Sequence, residues 1–304
     1  MIFIQGMRRS GTTFLLDVLT ADPASSPYYE PLAAAKKTAV GGGSRIRSVD
    51  YFDRIRQVRR QFGASEGLND LDVLNHGGPR APELEFGPHL PDIVIRYLRY
   101  IERTSEGRPV LKFVRAAQKL ATLAREFPKA QLLLIVRDPR SVVSSFLLGK
   151  GKKNQQQLAS ADTFFNASTM QKGERVYAQG LCANLDPTTI GNGTDVELLL
   201  ALWRDTVQAM TLGQTAFGER AHLVRHEDIL ASPEQTLHLI YDRLLQQSPP
   251  AVVLEWLQGH VMAAPICVAP RDNRWNAAIN RVGLKPLLEQ LSYENTEGFA
   301  DALQ

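Results

Sequence analysis

The chain opens on a short apolar run, Ile2-Phe3-Ile4, followed by a Gly-containing loop and the segment Thr13 to Leu19, whose apolar residues suit a helix. Val110 to Val114 reads as a second buried strand, followed by an amphipathic segment from Ala116 to Phe127. A third, Gln131 to Val136, carries five apolar residues in succession. Such continuous apolarity suits a parallel strand covered on both faces. His222 to Arg225 is a shorter fourth. Near residue 232, Ser232 stands as a candidate N-cap, with Pro233 at the first helical position and Gln235 three residues on. The spacing Leu237, Ile240, Tyr241, Leu244 continues that helix. Strands alternating with helical patterns predict an α/β fold, a doubly wound parallel sheet flanked by helices.

Two polar stretches interrupt the alternation. The first, about residues 33–108, holds Gly41-Gly42-Gly43 and several prolines; the second, about 149–195, is rich in Gln, Lys, Asn and Gly. Both are expected to be insertions over the C-terminal edge of the sheet, where α/β enzymes bind ligands. No internal repeat or break in composition divides the chain, so residues 1–304 are expected to form a single domain. At 44% hydrophobic and 22% charged residues, the chain can bury a sizeable core without metal or disulfide staples. Its two cysteines, Cys182 and Cys267, have no metal-ligand spacing and read as free thiols of a reducing compartment. The formal charge of +3 is modest and by itself excludes nothing. A nucleic-acid binder normally carries a stronger and more clustered excess, so no nucleic-acid partner is expected. Ile2 to Ile4 is too short for a signal-peptide core, and no apolar run approaches the ~18 residues of a membrane span. A cytoplasmic protein is expected, with the sequons at Asn166 and Asn192 as chance matches.

Gly6-Met7-Arg8-Arg9-Ser10-Gly11-Thr12-Thr13 has the outline of a Walker A loop between a strand and a helix. Backbone N–H groups of such a loop, aided by the helix dipole, enclose an anion. One position departs: Thr12 stands where a nucleoside triphosphatase has lysine, and Arg9 can supply the positive charge instead. Phosphoryl chemistry needs Mg²⁺ and lysine because the transferred group is heavily charged. A sulfuryl group carries less charge, so cationic side chains and hydrogen bonds can serve without metal. No strand ends in a clear magnesium-binding carboxylate, since Asp138 lies between Arg137 and Pro139.

Arg9-Ser10-Gly11-Thr12-Thr13 resembles the 5′-phosphosulfate loop of the sulfotransferases, in the form with arginine first that the tyrosylprotein and carbohydrate enzymes carry. Tyr29-Glu30-Pro31-Leu32 is similar to a segment of the carbohydrate 6-O-sulfotransferases. Val136-Arg137-Asp138-Pro139-Arg140 with Ser144-Ser145 resembles the family's 3′-phosphate motif, and Arg225 to Leu230 with Pro233 and Thr236 resembles its Tyr-Glu-Asp-Leu segment. Pro270 to Asn276 is loosely similar to the strap that closes over the nucleotide, while Asn280-Arg281 departs from the Trp-Arg usual there.

The resemblance implies a P-loop-type fold and a donor, 3′-phosphoadenosine-5′-phosphosulfate (PAPS), that leaves as 3′-phosphoadenosine-5′-phosphate (PAP). It places Arg8, Arg9, Ser10, Gly11, Thr12, Thr13 and Phe14 at the donor, with Arg9 at the bridging oxygen. Arg137 would bind the 3′-phosphate bidentately, with Ser145 adding a hydroxyl. His226, where tyrosine is common, would stack on adenine or bond its edge, or be a half-buried strand-end histidine. Arg271 and Arg274 are further 3′-phosphate candidates; Glu227 and Asp228 are expected to be structural. Glu30 is the expected general base, held extended by Pro31, with His76, His89, Glu83 and Glu85 in reserve. No metal is implied. The expected acceptor is a carbohydrate or glycolipid hydroxyl, with a small lipid or polyketide alcohol open. Lys150, Lys152 and Lys153 would attract an anionic acceptor or form a solvated face. A P-loop kinase using ATP, and a nucleotide-binding protein without turnover, are the alternatives.

Overall fold

The computed structural model describes residues 1–33, 51–75, 82–149, 158, 160–170, 172–185, 193–260 and 270–293. Gly41-Gly42-Gly43, His76, the Glu83 side chain, Lys150, Lys152, Lys153, Asn192 and Cys267 lie outside the described residues. Five parallel strands form one sheet in the order β2-β3-β1-β4-β5. They are β1 (Ile2–Gly6), β2 (Ser25–Tyr29), β3 (Arg108–Phe113), β4 (Gln131–Val136) and β5 (Ala221–Arg225). The pairing of β1 with both β3 and β4 puts the reversal of winding at the centre of the sheet, where ligands of doubly wound folds bind.

Alternation along β1 places apolar side chains on both faces of the sheet. Ile2 and Ile4 join a core with Leu15, Leu16, Val18 and Leu19 of α1 (Thr12–Leu19) and with Ile240 and Leu244 of α11 (Pro233–Leu245). Phe3 points to the other face, against the rings of Phe113, Phe127 and Phe217. Burying both faces favours apolar residues along the central strands, with the buried Gln5 of β1 and Lys112 of β3 as exceptions.

The sequence pattern did not foreshadow β2. Ser25-Ser26-Pro27-Tyr28-Tyr29 has no apolar run, and as an edge strand it tolerates Pro27, whose missing N–H breaks no central ladder. Much of the stretch 33–108 is also helical: α2 (Tyr51–Glu66), the short α3 (Pro82–Phe86) and α4 (Asp92–Thr104). Helix α2 packs on β2, and α4 packs on α2 and β3, so these two helices flank the sheet. The buried Tyr51, Ile55, Val58 and Phe62 of α2 and Val94, Leu98 and Ile101 of α4 recur at helical spacing.

The segment Ala116 to Phe127 is a 3₁₀ turn (Ala117–Lys119) leading into α5 (Leu120–Glu126). Pro233 does open α11, but the Ser232 side chain makes no capping bond. Ser232 also closes α10 (His226–Ala231), its N–H bonding the Asp228 carbonyl at 2.9 Å, and this double duty fixes its backbone.

The chain groups into two compact units, Met1–Val136 with Val207–Ala264, and Arg137–Thr206 with Pro265–Gln304. The sheet belongs to the first, with α12 (Ala251–His260) beside α1. The second contains α6 (Pro139–Leu147), α7 (Ala161–Phe165), α8 (Lys172–Leu185), α13 (Arg274–Arg281) and α14 (Lys285–Gln290). The long α9 (Asp195–Phe217) runs from the second unit into the first. Within the second, Trp275 packs edge-on against Phe165 and tilted against Phe164. No described helix is long and apolar enough to cross a membrane.

Candidate active site

The loop after β1 is shaped by two left-handed residues. Arg9 has φ 78° and Gly11 φ 100°, a region that costs a side chain free energy and glycine little. Ser10 is buried; its N–H and hydroxyl both donate to the Met7 carbonyl, closing the turn. Gly6 must be glycine for space, because a Cβ there would lie 2.6 Å from the Ile135 carbonyl oxygen and 2.7 Å from Ser10 Oγ. Helix α1 begins with its first backbone N–H groups left without a capping side chain. Thr12 is buried, Phe14 half-buried, and Arg8 and Thr13 exposed.

His226 stands directly after β5, and its ring edge packs on the loop: a Cβ on Gly11 would meet His226 Cδ2 at 2.6 Å. The structure thus brings His226 against the loop after β1. Asp228 is engaged locally, pairing with Arg225 at 3.1 Å and accepting the Thr236 hydroxyl on its carbonyl at 3.0 Å.

Glu30 directly follows β2, and its backbone corrects the expectation of an extended conformation before Pro31. It has φ 48°, in the left-handed region. Local bonds hold it there. Its N–H donates to the Lys112 carbonyl at 2.9 Å, and its carbonyl accepts from the Ala33 N–H at 3.0 Å. Lys112 Nζ lies 2.6 Å from Glu30 Oε1, and the Val114 N–H donates to Oε2 at 3.2 Å. The Lys112 side chain is 3% exposed and that of Glu30 12%.

Lys112 is the residue that sequence reasoning missed. A lone lysine inside Val110-Leu111-Lys112-Phe113-Val114 was the available signal, since a charge on a buried strand needs a partner. Strand register supplies it: Lys112 lies opposite Tyr29, its ammonium 4.0 Å from that ring's centre. Tyr51 stacks on the same tyrosine and donates its hydroxyl to Asp17 of α1. Of the reserve bases, Glu85 is buried and paired with Arg115 at 2.9 Å, and His89 is exposed.

In the second unit, Arg137 is next in the chain after β4, and its carbonyl accepts the Trp203 indole N–H at 2.9 Å. Asp138 caps α6 through the Arg140 and Ser141 N–H groups and pairs with the Arg140 guanidinium, a structural task. Ser144 is buried with its hydroxyl on the Arg140 carbonyl, whereas Ser145 is partly exposed. Arg274 is paired with both Asp162 and Asp272 at 2.7 Å and lies over the Phe165 ring. Its guanidinium holds the Asp272 carboxyl down at about 2. Arg271 is exposed. Among the described residues, no three His, Cys, Asp or Glu side chains are grouped to hold a metal.

The family model described as "Sulfotransferase family" matches residues 2–190, more than half of the chain. The chain belongs to the sulfotransferase family. Solved sulfotransferases share the fold. The sulfotransferase domain from the curacin biosynthetic pathway aligns over 96% of each chain with a TM-score of 0.51 and 18% identity. Sulfotransferase STF9 from Mycobacterium avium aligns over 95% of this chain and 76% of its own, with a TM-score of 0.51 and 17% identity. No curated protein matches the sequence significantly. In this sulfotransferase, the loop after β1, Glu30 and His226 each lie just beyond the C-terminal end of a parallel strand. That is where a doubly wound sheet presents groups to a ligand.

Proposed function

We propose that this sulfotransferase moves a sulfuryl group from PAPS to an acceptor hydroxyl. The observation that carries this reading is the loop after β1, with left-handed Arg9 and Gly11 leading into a helix start that no side chain caps. Anionic groups bind such an arrangement through backbone N–H donors and the helix dipole. Ser10 to Thr13 would hold the 5′-phosphate, and Arg137 and Ser145 the 3′-phosphate. Phe14 and His226 would lie towards the adenine, and Arg8 and Arg271 would add positive charge. Arg274 is the weaker candidate, since two carboxylates already engage it.

The donor supplies the activated sulfuryl group. Glu30 takes the acceptor's proton, and Arg9 steadies the negative charge that develops on the leaving oxygen. Lys112 Nζ lies beside Glu30 and would help to hold its carboxylate in place. The Tyr29-Glu30-Pro31-Leu32 segment favours a carbohydrate or glycolipid hydroxyl as acceptor, as in the carbohydrate sulfotransferases it resembles.

Calorimetric titration with PAP, AMP and ATP tests the donor. Losing a bidentate charge-assisted contact to the 3′-phosphate costs on the order of 2–3 kcal/mol, so PAP should bind roughly 30- to 150-fold tighter than AMP. Equal affinities would remove the 3′-phosphate assignment, and a preference for ATP would return the kinase reading.

A further inference from the structure

The three residues after β3 each hold a different part of the first unit. The Val114 N–H donates to Glu30 Oε2 at 3.2 Å, and Arg115 Nη1 binds Glu85 Oε1 at 2.9 Å. The Ala116 N–H donates at 3.1 Å to Oε1 of Gln5, a fully buried residue near the end of β1. These residues lie between the strand and the 3₁₀ turn, so side-chain anchors do much to set their orientation. Further along, Lys119 Nζ donates to the carbonyls of Glu85 at 2.9 Å and Gly87 at 3.2 Å, and the Thr122 hydroxyl to that of Pro88 at 2.8 Å. Glu85 is thus fastened twice, by side chain and by backbone. Only one residue separates its partner Arg115 from Phe113, the end of β3.

We propose that Glu85 is a positioning residue for Glu30, acting through Arg115 and the Val114 amide. The proposal rests on reading Glu30 as the base. Segment 85–88 and the base then move as one piece. Base catalysis depends steeply on placement, because displacement by about 1 Å can cost 10²-fold in rate.

Two measurements test it. Hydrogen exchange at the Val114 amide should be at least about tenfold faster in Glu85→Gln than in wild type, while Leu111 to Phe113 stay protected. Unchanged exchange at Val114 overturns the proposal whatever the enzyme's activity. The second is a double-mutant cycle on PAP release from saturating PAPS, using the best alcohol of an acceptor panel, or water where no alcohol exceeds it. Glu85→Gln should lower turnover by about tenfold in the wild-type background and less than about twofold in Glu30→Gln. The PAP dissociation constant should stay within about twofold, and Arg115→Lys, which can still reach Glu85, should retain turnover within about threefold. Equal losses in both backgrounds, or PAP binding that weakens in parallel, would make Glu85 a general stabiliser and overturn the coupling. A wild-type protein that releases no PAP would sink the sulfuryl-transfer reading instead, and the exchange result alone would then decide the coupling.

Discussion

Glu30 combines a left-handed backbone, a following proline and a carboxylate bonded on both oxygens. A non-glycine residue in that region costs on the order of 1–3 kcal/mol and persists only where its surroundings over-determine it. Here the Lys112 carbonyl, the Ala33 amide, the Lys112 ammonium and the Val114 amide do so. Glu30→Gln keeps the size and much of the hydrogen bonding while removing the basic oxygen. Turnover should fall by 10²–10⁴, the usual contribution of a positioned base, with PAP affinity nearly unchanged. Steady-state PAP release and calorimetry read the two quantities. Turnover within about threefold of wild type would end the assignment, and loss of nucleotide binding would make Glu30 a structural clamp. Arg9→Ala should instead lower both, because Arg9 is assigned to the donor before and during transfer.

Among the elements, α2 shows how a polar stretch becomes part of the scaffold. Arg59, 1% exposed, donates to the carbonyls of Ala33 at 2.6 Å and Leu71 at 2.7 Å and to Asn75 Oδ1 at 2.7 Å. It thereby ties the residues after Glu30 to the 3₁₀ turn (Leu71–Leu74). Burial lowers the guanidinium's pKa, the cost of keeping that charge from water. Arg59→Met removes the donors and leaves three acceptors without them, so stability should drop by on the order of 3 kcal/mol. Urea unfolding measures this. A change below about 1 kcal/mol would mean that water replaces the lost bonds.

At the scale of the whole molecule, stability in alkali reports on Lys119. It is fully buried, and desolvation lowers its pKa to about 8 against an ordinary 10.5. Between these values the unfolded chain binds the extra proton, so this lysine makes stability rise with pH from about 8 to about 10.5. From pH 8 to 9 the gain should be about 1 kcal/mol. Cys182 acts oppositely: burial and Asp205 push its thiol up to about 12 from 9, so its contribution is lost as pH rises from 9. Comparing urea unfolding of wild type with Lys119→Met isolates the lysine, since the cysteine term cancels. A difference between the two proteins that stays flat from pH 8 to 9 would show Lys119 to be charged in the fold throughout.

The shape of the loop after β1 was legible in the sequence because it is local. Gly6, Arg9, Gly11 and the helix start lie within a few residues and work through backbone conformation, which nearby residue types dictate. The buried strands were legible too, since burying both faces writes itself as an unbroken apolar run. Other features needed the tertiary structure. Strand β2 is made by pairing with β3, not by its own composition. Lys112 meets Glu30 across 82 residues because parallel register sets Tyr29 opposite Lys112. Arg274 meets Asp162 across 112 residues and is drawn from the nucleotide candidates towards a structural pair. A charge's partner, and so its chemistry, is fixed by which strand ends and helices converge, and no local pattern encodes that.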